Sequence, residues 1–400
     1  MSIKNPATNL IQIGDGQFQK KILSEYAVPE TLPIYLTSAY ALDDIEALDA
    51  LEADEHSEYG YSYSRAATPN ADATSELLAV IDGMESGLLF SSGMAAIATS
   101  LLAFLSAGDH IIASSVIYGA TYTLLSSTFA RFGIETDFVD LSDGDISAFI
   151  KPNTKLVYVE TISNPLMGVP DIDELSKQAH AHDVLVFIDN TFASPIVAKP
   201  GAHGADVVLY SATKYLGGHA DIIAGAVTSS AANVAKIKGS QILFGTLLSV
   251  SASWLLARSL RTLDLRMRTH SKNAQAVAQF LESHPTFERV HYPGLASSES
   301  YERATRQFEN GLYGGMLSAD LAGGEDAALA LIRNLQSIHF VPSLAGPATT
   351  VSYPVKTSHR FYEKETLDAL GITAGQIRLS IGLEHVDDII EELSRALKSF

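Results

Sequence analysis

From Leu77 the chain alternates short apolar runs with stretches of helical period. The runs are "GLLFSS", "DHIIASS", "ETDFVDL", "TKLVYVET", "VLVFIDNT", "ADVVLYS" and "IIAGAVTSS". They are continuous rather than alternating, which predicts a sheet covered on both faces. Strands separated by helices predict βαβ units and a mostly parallel sheet. Before this region "PETLPIYLTSAY" reads as extended, and "DDIEALDALEADEHSEYGYSYSR" as an acidic helix running into a Tyr/Ser-rich loop. The helix is read as a solvated face. Behind it, Ser251 to His284 reads as one long helical segment. "GGMLSADL", "IHFVPS" and "QIRLSIG" then predict a smaller α+β domain. The expected division is an extended arm over 1–62, an α/β domain over 63–255 and a C-terminal α+β domain over 256–400.

Composition narrows the function. Four hundred residues, 46% of them hydrophobic, suit a globular chain of two or three domains. Lys and Arg number 27 against 46 Asp and Glu, a net charge of −19. That excess argues against nucleic acid or an anionic membrane surface as partner. The chain holds no cysteine, which rules out disulfides, thiolate metal ligands and a cysteine nucleophile. No apolar run has the length of a signal core or a membrane span. A soluble cytoplasmic protein is expected.

Several familiar motifs are absent. "GDGQFQ" lacks a third glycine and a preceding strand, so it is no dinucleotide fingerprint. The histidines of "HAHD" (180–183) are two apart on an expected helix and face apart, which suits a surface stretch better than a metal site. Neither G-x-S-x-G nor H-E-x-x-H occurs. No metal is expected.

The chemistry gathers at strand ends, where open α/β sheets bind ligands. "SSGMAAI" follows the strand "GLLF" and opens a helix. Small residues there expose backbone N–H groups to a phosphate, although Ser92 alone reads more readily as a plain helix cap. Asp189 ends the strand "VLVFID", where a buried carboxylate needs a partner such as a protonated ring nitrogen. Lys214 follows 25 residues later, behind Ser211 and Thr213. A desolvated lysine amine is a nucleophile toward carbonyl cofactors. A phosphate site, an acid and an amine together match pyridoxal 5′-phosphate, which carries a phosphate, a pyridine nitrogen and an aldehyde.

On these residues the chain resembles the Cys/Met-metabolism enzymes of the aspartate-aminotransferase-like (type I) pyridoxal phosphate fold. This group includes methionine γ-lyase, cystathionine γ-lyase, cystathionine γ-synthase and O-acylhomoserine sulfhydrylase. "YSR", "SSGMAAI", "IYGATY", "VYVETISNP", "VFIDNTFASP", "SATKYLGGHADIIAG", "YPGL" and "IRLSIGLE" follow in family order from about residue 20 to 398. The resemblance implies a mostly parallel seven-stranded sheet with a smaller C-terminal α+β domain. It also implies roles. Lys214 holds the cofactor covalently and shuttles protons. Asp189 pairs with the ring nitrogen. Ser92, Gly93, Met94, Ser211 and Thr213 cradle the phosphate. Tyr118 stacks on the ring and assists proton transfer, and Asn164 lies near the cofactor's phenolic oxygen and the substrate. Arg378 clamps the substrate carboxylate, with Ser343 beside it. Tyr63 and Arg65 reach the phosphate of a neighbouring subunit, so a homodimer is the minimum and a tetramer is expected.

The implied activity is α,γ-elimination from a sulfur amino acid, giving 2-oxobutyrate, ammonia and a thiol. The alternative is γ-replacement on an O-acylhomoserine. A non-enzymatic cofactor-binding role is a third class, disfavoured because Lys214 is present. Departures from the family pattern fall on the substrate side. "NPT" is here Thr68 to Asn70, and a family cysteine is Ala120. A Lys-Asp pair is Gln241 and Ile242, and "SPxDA" is Ser249 to Ser253. A family glycine is Ala345, and "PASMTH" is "PVKTSH", with Lys356 in place of a small residue. Pro342, before Ser343, is apolar where some cystathionine γ-lyases carry glutamate, which weakens a specific assignment to cystathionine.

Overall fold

A computed structural model describes residues 5–12, 29–42, 44–53, 60–360 and 362–398. "GDGQFQ" lies outside these residues. The chain divides into two compact units. One comprises Met1–Phe104, Leu209–Gly217 and Asp221–Leu263; the other Leu105–Val208, Gly218–Ala220 and Asp264–Phe400.

All seven apolar runs form strands: β1 (Ser86–Phe90), β2 (His110–Ser114), β3 (Glu135–Val139), β4 (Thr154–Glu160), β5 (Leu185–Asp189), β6 (Val207–Tyr210) and β7 (Gly225–Ser229). They make one seven-stranded sheet in the order β1-β7-β6-β5-β4-β2-β3. β2 runs parallel to β3 and β4, and β4 parallel to β5; β1 pairs antiparallel with β7. β2 and β6 are buried at every position, whereas β3, at the sheet edge, is only half-buried. This is the pattern that continuous apolar runs predict for a sheet covered on both faces.

The helix opened by "SSGMAAI" spans Gly93–Phe104, and the acidic segment is helical over Ile45–Ala53. The segment read as one long helix is two, Val250–Leu260 and Leu263–Ser283. Both the N–H and the hydroxyl of Thr262 turn back to the Ser259 carbonyl, at 3.3 Å each. A threonine that satisfies its own backbone locally competes with the helical ladder. No Gly or Pro marks this break.

The C-terminal sheet has five strands: β8 (Phe287–His291), β9 (Met316–Leu321), β10 (His339–Phe340), β11 (Thr350–Ser352) and β12 (Gln376–Ser380). Their order is β10-β11-β12-β9-β8. Three were expected; β8 and β11 are additions. β8 carries Glu288 and Arg289 on exposed positions, and β11 has three residues, so neither reads as an apolar run. Val277, Leu281, Leu317, Leu379 and Leu393 are buried in the core of this domain.

His270 is buried in the helix Leu263–Ser283 and its Nδ1 lies 2.7 Å from the Ile381 carbonyl. Burial lowers its pKa from 6.5 to about 4, and the nearby Arg266 cation adds to this. The unfolded chain therefore binds more protons between these values, so stability falls as pH drops from about 6.5 to about 4. A fall from 6.5 to about 4 corresponds to about 3 kcal/mol. His270→Gln, which keeps a donor for Ile381, is expected to flatten the pH dependence of the urea midpoint over this window.

Among the described residues no helix is long and apolar enough to cross a membrane.

Candidate active site

In the first unit the helix Gly93–Phe104 begins directly after β1. First-turn amides point out of a helix N-terminus, and here that of Ala95 is taken by the Ser92 hydroxyl at 3.0 Å. Ser92 thus caps the helix. The helix start is packed without slack. A Cβ on Gly93 would lie 2.7 Å from the Ser211 Cβ, and one on Gly225 would collide with the Ser92 carbonyl oxygen and lie 3.0 Å from the Gly93 nitrogen. Ser92, Gly93 and Ser211 are therefore gathered at one place, with Met94 the next residue of the helix. Gly225→Ala is expected to cost about 2–3 kcal/mol, because the colliding atoms are backbone. A thermal melt and the cofactor content of the purified variant check this.

Lys214 sits beyond the strand rather than at its last residue. β6 ends at Tyr210, and Lys214 lies half-buried in the turns 212–217. Gly217 N–H donates to the Ala212 carbonyl at 2.8 Å and Lys214 N–H to Ser211 at 3.0 Å, which fixes the turn. Thr213 Oγ1 accepts from Ala224 N–H at 3.0 Å and donates to the Ala224 carbonyl at 3.1 Å. Its one hydroxyl proton braces this loop. Tyr63 and Arg65 lie together at the surface. The guanidinium stands 5.5 Å from the Tyr63 ring centroid, and Arg65 Nη1 donates to the Ile242 carbonyl at 2.8 Å.

In the second unit Asp189 ends β5 and is 8% exposed. It accepts from Thr191 N–H at 3.0 Å and from the Tyr158 hydroxyl at 3.3 Å. Burial raises its pKa against those hydrogen bonds. Such an acid gains most from a cationic partner. Asn164 and Arg378, each 3% exposed, are joined by a 2.8 Å bond from Arg378 Nη1 to Asn164 Oδ1. Arg378 stands in β12. Tyr118 leads the short helix Gly119–Thr123 and is 42% exposed. Ser343 is half-buried in the loop between β10 and β11.

Two residues near this group were not singled out from the sequence. Glu160, at the end of β4, accepts from Tyr118 N–H at 2.6 Å and Asn164 N–H at 3.2 Å. His359 is buried, bonded to Ser358 through Nδ1 at 2.9 Å, and its pKa falls to about 4 through burial and the Arg378 charge. Both stand inside quoted motifs, "VYVETISNP" and "PVKTSH". Their significance depends on bonds to backbone, which side-chain spacing does not reveal.

The unusual positions largely have structural partners. Asn70 Oδ1 accepts from Tyr35 N–H at 3.0 Å and its Nδ2 donates to Pro33 at 2.9 Å, tying the arm to the helix Pro69–Asp82. Gln241 donates to the Leu89 carbonyl at 2.7 Å. Ser249 caps the helix Val250–Leu260. Ala345 holds a left-handed backbone at φ 67°, where glycine is the ordinary choice. Nothing in the structure explains Lys356, which is exposed.

These residues fit pyridoxal phosphate: a helix start too tight for any side chain but glycine's, a lysine in a fixed turn, and a buried acid suited to a cationic ring. Comparison with known proteins agrees. The model of the family described as "Cys/Met metabolism PLP-dependent enzyme" matches residues 11–398. The L-methionine gamma-lyase of Fusobacterium nucleatum subsp. nucleatum is 39% identical over 371 residues, 92% of this chain and 93% of that protein. The cystathionine beta-lyase of Lactococcus lactis subsp. cremoris is 41% identical over 370 residues, 92% and 94% of the two chains. Among solved structures, a Campylobacter jejuni protein described as an O-acetylhomoserine (thiol)-lyase, with N′-pyridoxyl-lysine-5′-monophosphate, superposes with a TM-score of 0.91. It shares 30% identity, covering 99% of this chain and 100% of that one.

Proposed function

Since the chain belongs to the Cys/Met metabolism PLP-dependent enzyme family, we propose that it is a carbon–sulfur lyase. It eliminates the γ-thiol of a sulfur amino acid of the methionine, cystathionine or homocysteine type, releasing 2-oxobutyrate, ammonia and a thiol. The observation that carries the reading is the buried linkage of Arg378 to Asn164, whose own N–H is held by Glu160. A guanidinium held by a neutral amide keeps its charge for a substrate carboxylate.

When bound, pyridoxal phosphate supplies an electron sink for the α-carbon. The chain supplies the rest. Ser92, Gly93, Met94 and Ser211 hold the phosphate, while Thr213, expected among them, has both its donors on Ala224 and braces the loop behind them. Tyr63 and Arg65 serve the site of a second subunit. Asp189 keeps the ring nitrogen protonated. Arg378, Asn164 and Ser343 orient the amino acid by its carboxylate. Lys214 Nζ removes the α-proton and serves the β-carbon, and the Tyr118 hydroxyl assists at the leaving sulfur. The dimer this requires is supported by exposed Leu243 and Phe244, next along the chain from the Ile242 that receives Arg65. Sedimentation is expected to give a dimer or tetramer. The functional division into arm 1–62, cofactor domain 63–255 and C-terminal domain 256–400, in a cytoplasmic enzyme, belongs to this reading.

A second reading, α,β-elimination, rests on the 41% identity to the Lactococcus cystathionine beta-lyase. γ-Replacement rests on the likeness to the Campylobacter protein. Cystathionine separates the first two: γ-cleavage yields 2-oxobutyrate and cysteine, β-cleavage pyruvate and homocysteine. Chromatographic identification of the 2-oxo acid is expected to show 2-oxobutyrate. A replacement enzyme would release little 2-oxo acid and would consume O-acetylhomoserine only when a thiol is added.

A further inference from the structure

Glu160 has no role in the scheme above, yet three of the residues in that scheme depend on it. It is the last residue of β4 and stands in register with Asp189, the last residue of β5. Its Oε1 accepts from Tyr118 N–H at 2.6 Å and its Oε2 from Asn164 N–H at 3.2 Å. The two donors come from separate loops, one after β2 and one after β4. Asn164 in turn accepts from Arg378 at 2.8 Å. One run of hydrogen bonds therefore joins Tyr118, Glu160, Asn164 and Arg378.

We propose that Glu160 is a positioning residue, which locks the ring-covering tyrosine and the carboxylate-clamping arginine into one rigid piece. The proposal rests on the roles of Tyr118 and Arg378 given above. A carboxyl group suits the task because it offers an acceptor on each oxygen. An amide offers one acceptor and would set its own NH2 against the second backbone donor. A shorter acid would not span both loops. The position is a costly one for an acid, because burial and the neighbouring Asp189 both disfavour its charge. A site indifferent to the link would be served as well by an apolar residue. His359 adds to the same frame, lying beside the carbonyls of Ile117 and Asn164. The Ile117–Tyr118 peptide, whose N–H donates to Glu160, thus has a neighbour on its carbonyl side as well.

The test compares wild type, Glu160→Gln, Arg378→Lys and the double variant, each loaded with pyridoxal phosphate. L-Alanine has no leaving group, and its dissociation constant is read from the change in visible absorbance. The visible circular dichroism of the bound cofactor reports how Tyr118 sits against it. Glu160→Gln is expected to weaken L-alanine about tenfold and to alter the dichroism. In the Arg378→Lys background it is expected to add little, because both changes act through one clamp. Unchanged L-alanine affinity and dichroism with only a lower melting temperature would overturn the proposal, as would full additivity. Should Glu160→Gln not fold, Glu160→Asp makes the same comparison, with both oxygens kept at shorter reach. A wild type that releases no 2-oxo acid would count against the proposed reaction, while L-alanine affinity and dichroism would still decide the part played by Glu160.

Discussion

Lys214→Ala is expected to abolish turnover, by about 10⁴-fold or more, a loss typical of removing the central member of a catalytic unit. The purified variant should also lack the yellow colour of a cofactor held through a lysine amine. The size of the effect follows from chemistry. No other primary amine is placed in the fixed turn 212–217. Gly217 and Ser211 close it, and Thr213 ties it to Ala224. Lys214→Arg keeps the charge and much of the bulk but cannot condense with an aldehyde. It should be as inactive as the alanine variant. Thermal melting of the cofactor-free proteins checks that both fold. An alanine variant with wild-type turnover would remove Lys214 from the mechanism.

Arg378→Ala should raise KM for the amino acid and lower kcat/KM by about 10²–10³-fold. Truncating one member of a buried, hydrogen-bonded charge interaction costs about 2–5 kcal/mol. Arg378 is buried in β12, in register with Ser318 of β9 and Ser352 of β11, so its backbone is held from both sides. The side chain is held by Asn164. Arg378→Lys retains the charge but loses the planar fork, and should fall between wild type and alanine. Steady-state kinetics with a carboxylate substrate and with its amide tests the role directly. Wild type should discriminate strongly against the amide, and the alanine variant weakly. Equal discrimination in both would assign the carboxylate to another residue.

The sheet was legible because burial on both faces writes an uninterrupted apolar run. Val207 to Tyr210 and His110 to Ser114 are buried at every position. β8 escaped notice because "FERVH" puts two charges on its exposed positions, and β11 because three residues carry no period. The break at Arg261 and Thr262 has no Gly or Pro; it comes from a threonine that bonds to its own turn. Within the site, Asp189 and Lys214 stand out because an acid and an amine near strand ends are costly and need a reason. Glu160 does not stand out, because its acceptors serve backbone N–H groups that belong to every residue alike. The same holds for Asn70, which reads as a departure from the family pattern. In the structure it is the residue that anchors the arm at Pro33 and Tyr35.

The most direct test of the account is 2-oxobutyrate release from L-methionine by the purified, cofactor-loaded protein with no thiol added. The expected result is 2-oxobutyrate with methanethiol and ammonia in equal amounts. Protein that is visibly yellow but releases no 2-oxo acid from methionine or from cystathionine would contradict it.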